Sequence, residues 1–356
     1  MDAAALRAEF PVLDRVAYLN AGTDGPAPKV GVAAAQAALR SQAEEGRFTP
    51  HFEARRAGHD GLRAAYARVL GGDVGDVALK SSTSEGLGSV LAGLDLGPGD
   101  EIVTSDSEHP GLIGPLITAR ARGVRIVAVP LKDTADAVTS RTTLVACSHV
   151  SWVTGEVAPA ARKELDVPVV LDGAQGAGAI PLDMRALGCD AYAAAGQKWL
   201  CGADGTGMLY VAPAFRERVR AIAPAYPAFQ DASRGLDAEL HEDARRYDGA
   251  SLSREGIAFT LAAIELLESF GLAAVHERAA ALADRLAEAL HERGRTVAPR
   301  DGTTLVAWED PDPEATRDRV AAAGVVIRNL PGTPYLRASI GAWNDEHDLE
   351  RLLGAL

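Results

Sequence analysis

Between Leu70 and Val211 the chain repeats one pattern, and that pattern limits its fold more than any other feature. Short β-rich runs recur: VALKSS (77–82), EIVTSDS (101–107), VRIVAVPL (124–131), TTLVACSHV (142–150), VPVVLDGAQ (167–175), CDAYAAAG (189–196) and TGMLYVA (206–212). Alanine- and leucine-rich stretches able to form crossover helices separate several of them. A run such as VPVVLD, apolar at nearly every position, suits a strand buried on both faces. The expectation is an α/β large domain, residues 15–245, around a mostly parallel sheet of about seven strands with helices on both sides.

The rhythm stops after residue 213, where APAYPAF leads into the charged DAELHEDARRYDGA. From Ser253, REGIAFTLAAIELLESF and LAAVHERAAALADRLAEALHERG have helical periodicity. TTLVAWED, GVVIRNL and YLRASIGAW then read as a small sheet, and DEHDLERLLGAL as a last helix. A smaller α+β domain over 246–356 follows, with residues 1–14 expected to pack on it. A length of 356 residues exceeds one ordinary core, and two domains imply a cleft between them.

The net charge of −13 opposes long-range attraction to nucleic acid or to anionic lipid, so any anionic ligand needs local cations. No apolar run approaches the ~20 residues needed to span a bilayer, and the first residues lack the pattern of a secretion signal. These features point to a cytoplasmic globular protein. Cys147, Cys189 and Cys201 share no CxxC spacing, which fits reduced thiols and argues against a structural metal site.

Asp172 ends one strand-like run, and Lys198 follows 26 residues later (198 minus 172) at the end of the next. Both then lie at the carboxyl edge of a parallel sheet, where open α/β folds bind ligands. They could form a plain ion pair, or they could address two ends of one cofactor. Pyridoxal phosphate asks for that pairing: an amine to condense with its aldehyde, and a carboxylate to keep its ring nitrogen protonated.

The stretch LDGAQGAGAIPLDMRALGCDAYAAAGQKWLCGADGTGMLYV resembles the cofactor region of the class V aminotransferase and cysteine desulfurase family, pyridoxal-phosphate enzymes of fold type I. D-x-A-Q, the lysine spacing and K-W-L-x-G-x-x-G-x-G match together, and the likeness extends over most of the chain. The resemblance makes Lys198 the cofactor-linked lysine and proton shuttle, and Asp172 the partner of the ring nitrogen. It makes Gln175 a hydrogen-bond partner of the ring 3-oxygen and His109, in SDSEHPGL, the ring that stacks on the pyridine. Thr83 and Ser84, in KSSTSEGLGSVLAGL, fall where the phosphate is held, although a Ser/Thr cluster also serves simply to cap a helix. Gln197, where many relatives carry His, is a further donor. Ser251 stands nearest the hydroxyl that a second subunit contributes to the phosphate, which implies a homodimer; an ordinary helix cap is the alternative.

On the substrate side, RASIGAWN resembles the family's Arg-x-Ser segment, which makes Arg337 the clamp on an amino-acid carboxylate. Arg328 is a candidate for a second anionic group or for a surface ion pair. HVSWVTGEVAP follows the family's H-V-S-N-x-x-G pattern with Trp152 in place of Asn, either as a wall for a substituent or as core packing. YLNAGTDGPAP resembles the family's entry loop, and places Asn20, Ala21 and Gly22 at the substrate mouth. Desulfurases carry a persulfide-forming Cys just before the carboxylate arginine, and RNLPGTPYLR (328–337) has none. The nearest members by KWLCG-x-x-GTG and IRNLPGT…RAS are C–S lyases acting on cysteine, cystine or a cysteine conjugate. Transamination or epimerisation of a small amino acid is the alternative reaction.

Overall fold

The computed structural model describes residues 1–161, 165–249 and 252–356. It opens with α1 (Ala3–Ala8), β1 (Ala17–Tyr18), α2 (Lys29–Glu45) and α3 (Thr49–Leu70). Alternation then follows through β2 (Val77–Lys80), α4 (Thr83–Gly93), β3 (Glu101–Ser105), α5 (Pro110–Ala121), β4 (Arg125–Val129), β5 (Thr142–Ser148), β6 (Val169–Asp172), α6 (Met184–Leu187), β7 (Ala191–Ala195) and β8 (Gly207–Val211). The remaining elements are α7 (Arg254–Ser269), α8 (Leu272–Glu292), β9 (Leu305–Glu309), α9 (Pro313–Ala322), β10 (Val325–Val326), β11 (Arg328–Asn329), β12 (Tyr335–Ser339) and α10 (Glu346–Ala355).

Each of the seven β-rich runs contains one strand of a seven-stranded sheet, in the order β2-β8-β7-β6-β5-β3-β4. The sheet is mixed. β8 runs antiparallel to both neighbours, and the other adjacent pairs are parallel. Apolar clusters cover both faces, one including Leu62, Tyr66 and Leu70 of α3 and the other Leu87, Leu91, Leu112 and Leu116 of α4 and α5. Two covered faces explain why β6 and β7 are buried at every position. The ends of β2, β3, β5, β6 and β7 therefore come out on one edge.

The chain from 213 to 249 keeps no long element, only short helical turns such as Tyr226–Ala228 and Ala244–Tyr247. Beyond it, β11, β12 and β9 form a three-stranded antiparallel sheet on α8. The N-terminus joins this C-terminal part. Arg7 donates to the Trp343 carbonyl and to Asp348, and the Phe10 and Trp343 rings lie 5.0 Å apart. β1 pairs with β10, and Ala17 and Leu19 share the core of the C-terminal part. α7 packs on the large unit, Ile257 and Ile264 sharing a core with Leu62 and Tyr66 of α3; we propose that the boundary lies after α7 rather than near residue 246, with Ala17–Leu19 belonging to the smaller unit. A mixed cluster including Leu6, Phe10, Trp199, Leu267 and Trp343 fills the seam. Among the described residues, no single helix is long and apolar enough to cross a membrane.

Candidate active site

Four strand ends meet at the seam. Asp172 closes β6, 4% exposed, and its Oδ1 accepts the Ala174 N–H at 2.9 Å. Burial raises its carboxyl pKa, opposed by the Lys198 charge and the Ala174 N–H. Lys198 follows β7 after a turn in which the Gly196 N–H bonds the Thr206 carbonyl. Burial lowers its amine to about 8; Asp172 and Asp24 act upward, Arg337 and Arg328 downward. The lowering raises the neutral share of the amine near physiological pH well above that of an ordinary lysine, as a nucleophile or base requires.

His109 stands after β3 as the N-cap of α5, its Nδ1 accepting the Gly111 N–H at 3.1 Å. Burial first, then Lys198, Arg328 and Arg337, push it down to about 4, so the imidazole is neutral. The adjoining Glu108 is buried and accepts both the Ser148 N–H (2.9 Å) and the Ser148 hydroxyl (2.5 Å). This ties the His109 turn to the end of β5, and the sequence reading missed it although Glu108 lies in the same SDSEHPGL. After β5, the Trp152 indole N–H donates to the Ser107 carbonyl at 2.8 Å. Its ring stands edge-on to His109, centroids 5.3 Å apart, with the Arg328 guanidinium 6.0 Å from the Trp152 ring.

The entry loop stitches the two parts together. Ser339 of β12 bridges to Asn20, the Gln175 amide donates to the Gly22 carbonyl (2.8 Å), and the Gly25 N–H donates to the Gln197 carbonyl (2.7 Å). Two glycines are required by these approaches. A Cβ at Gly22 would stand 2.8 Å from Ser339 Oγ, 2.9 Å from Gln175 Oε1 and 3.1 Å from Arg337 Nη2; at Gly25 it would stand 2.1 Å from the Lys198 carbonyl oxygen. Ala21 is fully buried and Asn20 is half-buried. Asn20 Oδ1 accepts the Thr23 hydroxyl, and Thr23 in turn accepts Arg328 Nη1 at 3.2 Å. Arg328 and Arg337 are register partners on β11 and β12 and so lie on one face.

Several buried polar atoms here have no partner among the described residues: Thr83 Oγ1, Gln197 Oε1, Ser339 Oγ, and Nε and Nη2 of Arg337. Arg337 is 0% exposed, and burial lowers its guanidinium to about 9. Its Nη1 does donate to the Trp152 carbonyl. Other such atoms lie elsewhere, Trp308 Nε1 and Trp343 Nε1 among them; those at this edge are free to bond a ligand, and a buried polar atom without a bond costs about 1–3 kcal/mol. At the start of α4, Ser82 is the N-cap, Thr83 is buried and Ser84 is exposed. Ser251 lies outside the described residues.

A buried carboxylate, a lysine whose pKa burial has lowered, a stacking-competent imidazole and a helix N-terminus on one sheet edge fit the ring, aldehyde and phosphate of pyridoxal phosphate. Fold and site together define a pyridoxal-phosphate-dependent enzyme of fold type I. The sequence profile named Aminotransferase class-V matches residues 17–352, and the chain belongs to that family. Among curated relatives, a probable cysteine desulfurase of Halalkalibacterium halodurans is 28% identical over 402 aligned positions, covering 100% of this chain and 97% of that protein. The isopenicillin N epimerase of Streptomyces clavuligerus is also 28% identical, covering 83% of this chain and 82% of its own. Among solved structures, the cystine C–S lyase C-DES with its product cysteine persulfide superposes with a TM-score of 0.91 at 26% identity, covering 97% of this chain and 98% of that one.

Proposed function

We propose that the protein is a C–S lyase that cleaves the Cβ–S bond of cysteine, cystine or a cysteine S-conjugate, releasing pyruvate, ammonia and hydrogen sulfide, cysteine persulfide or a thiol respectively. The resemblance to a cystine C–S lyase and to proteins named cysteine desulfurases supports a sulfur amino acid as substrate. The observation that favours lyase chemistry over desulfuration is the burial of Cys147, Cys189 and Cys201, together with the lack of any thiol in 328–337. With no protein thiol at the mouth to receive sulfur, the sulfur leaves with the product.

In this reading Lys198 carries the cofactor, Asp172 holds the proton of its ring nitrogen, and His109 covers its ring. Thr83, Ser84, Gln197 and, from a second subunit, Ser251 hold its phosphate; Gln175 bonds its 3-oxygen. When bound, pyridoxal phosphate supplies an aldehyde for attachment and a ring that draws electrons from the substrate Cα–H bond. Arg337 grips the substrate carboxylate through its unpartnered Nε and Nη2, with Asn20, Ala21 and Gly22 shaping the mouth. Trp152 holds Arg328 for a second anionic group, as the far carboxylate of cystine provides. Lys198 would take and move the proton at the substrate Cα, the sulfur would leave with the Cβ–S electron pair, and water would convert the three-carbon remainder to pyruvate and ammonia. The enzyme acts as a cytoplasmic homodimer.

The test is incubation of the cofactor-loaded enzyme with L-cystine or a cysteine S-conjugate. Equimolar pyruvate and ammonia with a sulfur product are expected. Alanine as the organic product, or amino transfer that requires a keto acid, would end the lyase reading.

A further inference from the structure

The turn that carries Lys198 is strained and is braced from outside. It joins β7 to β8 and is closed at its base, where the Gly196 N–H donates to the Thr206 carbonyl at 2.8 Å and the Gly202 N–H to the Gly196 carbonyl at 2.9 Å. Within it, the Cys201 N–H donates to the Lys198 carbonyl at 3.0 Å. Cys201 holds a φ of +52°, the one non-glycine residue among those described with a positive φ. A side chain disfavours that left-handed backbone, which persists only where the surroundings over-determine it.

The support comes from α7. Thr260, fully buried on that helix, accepts the Ala203 N–H at 2.9 Å, and its hydroxyl lies 3.1 Å from that of Thr206. Thr206, buried as well, donates to the Ala203 carbonyl at 2.6 Å. A hydroxyl has one proton to give. With the Thr206 proton committed to Ala203, the Thr260 proton goes to Thr206, and none is left for a carbonyl of its own helix. Three hydrogen bonds thus form a ring that leaves from the Ala203 N–H and returns to the Ala203 carbonyl. The contact is also close: a Cβ at Gly202 would stand 2.7 Å from Thr260 Cγ2 and 2.9 Å from the Gly196 carbonyl oxygen. The helix itself is firmly seated, since Ile257 and Ile264 on either side of Thr260 share the core of Leu62 and Tyr66.

We infer that Thr260 is a positioning residue for the cofactor lysine, acting through Thr206 and Ala203 to hold the strained turn, and Lys198 with it, in place at the sheet edge. The inference rests on the reading that Lys198 carries the cofactor. Replacing the Thr260 hydroxyl by a methyl keeps the volume of the side chain, opens the ring and leaves the Ala203 N–H without its acceptor. The turn then relaxes from the left-handed backbone at Cys201, and the amine moves with it. A misplacement of about 1 Å is enough to slow a reaction about a hundredfold.

Thr260→Val, Thr260→Ser, Thr206→Val and the Thr206→Val/Thr260→Val double variant test this, each compared with wild type at a temperature where circular dichroism shows it folded. In cofactor-free protein, attachment of added pyridoxal phosphate, followed by absorbance, should slow about tenfold or more in Thr260→Val. In the loaded enzyme kcat should fall in step while KM stays within about twofold of wild type. Thr260→Ser keeps the hydroxyl and should restore both. Thr206→Val should lose as much as Thr260→Val, and the double variant no more than either, because the ring is already open. If Thr260→Val does not fold, Thr206→Val carries the comparison. A wild-type rate in the valine variants, a loss that Thr260→Ser does not restore, or losses that multiply in the double variant would overturn the inference. Borohydride labelling separates it from the reading beneath it: label on Lys198 with a wild-type attachment rate in Thr260→Val removes this inference alone, and label on another lysine removes both.

Discussion

Two arginines, Arg63 near the edge strand β2 and Arg337 on β12, are almost equally buried, at 4% and 0% exposed, but their surroundings differ. Arg63 has a carboxylate, Asp248, on two of its nitrogens and the Val77 carbonyl at 2.7 Å, leaving only Nε without a partner. Arg337 has a single carbonyl on Nη1 and nothing on Nε or Nη2. A buried cation with its counter-charge built in holds the fold together. One that lacks it is waiting for a counter-charge from outside, and that waiting costs stability.

The comparison breaks most visibly at Arg63. Arg63→Met strands the Asp248 carboxylate and should cost about 3–5 kcal/mol of unfolding free energy, read from denaturant melts. Arg337→Met should do the reverse to the free protein, leaving its stability unchanged or raised by about 1–3 kcal/mol, while kcat/KM falls about a hundredfold through KM. If the two variants lose stability equally, the distinction is wrong. A smaller effect comes from Gly22→Ala, whose Cβ presses on Ser339, Gln175 and Arg337 together. It should raise KM about tenfold with the cofactor still attached, as kinetics and absorbance would report.

The smallest effect concerns charge. Arg337 lowers the Lys198 pKa and Asp172 raises it. In cofactor-free protein, the rate of attachment to added pyridoxal phosphate should rise with pH through a midpoint at about 8 as the amine becomes neutral, and level off above it. Arg337→Met should move that midpoint up, Asp172→Asn should move it down, and Arg63→Met, whose charge is already matched, should leave it in place.

How much of this the residues declared in advance depended on range. All seven sheet strands were readable, most of them because a doubly covered strand is apolar at successive positions; β4, partly exposed at the sheet edge, showed itself by its β-branched residues. Their order, and the reversal of β8, were not, since pairing is set by contacts distant in sequence. Lys198 and Asp172 stood out because their spacing to strand ends is local, and Arg337 because RASIGAWN resembles the family's Arg-x-Ser segment. Glu108 did not, because its grip on Ser148 spans the end of another strand. The role of Gly25 was equally hidden: a glycine before a proline reads as a turn, and only the fold shows the Lys198 carbonyl against it. Trp152 was visible as an oddity, but its contact with Arg328 required the register of β11 and β12.

Everything on the cofactor side rests on which amine is used. Borohydride reduction of the protein loaded with pyridoxal phosphate, followed by peptide mapping, answers this directly. The account predicts a stable pyridoxyl group on Lys198 and none in Lys198→Ala. Label on Lys29, Lys80, Lys132 or Lys163 with Lys198 unmodified would contradict it.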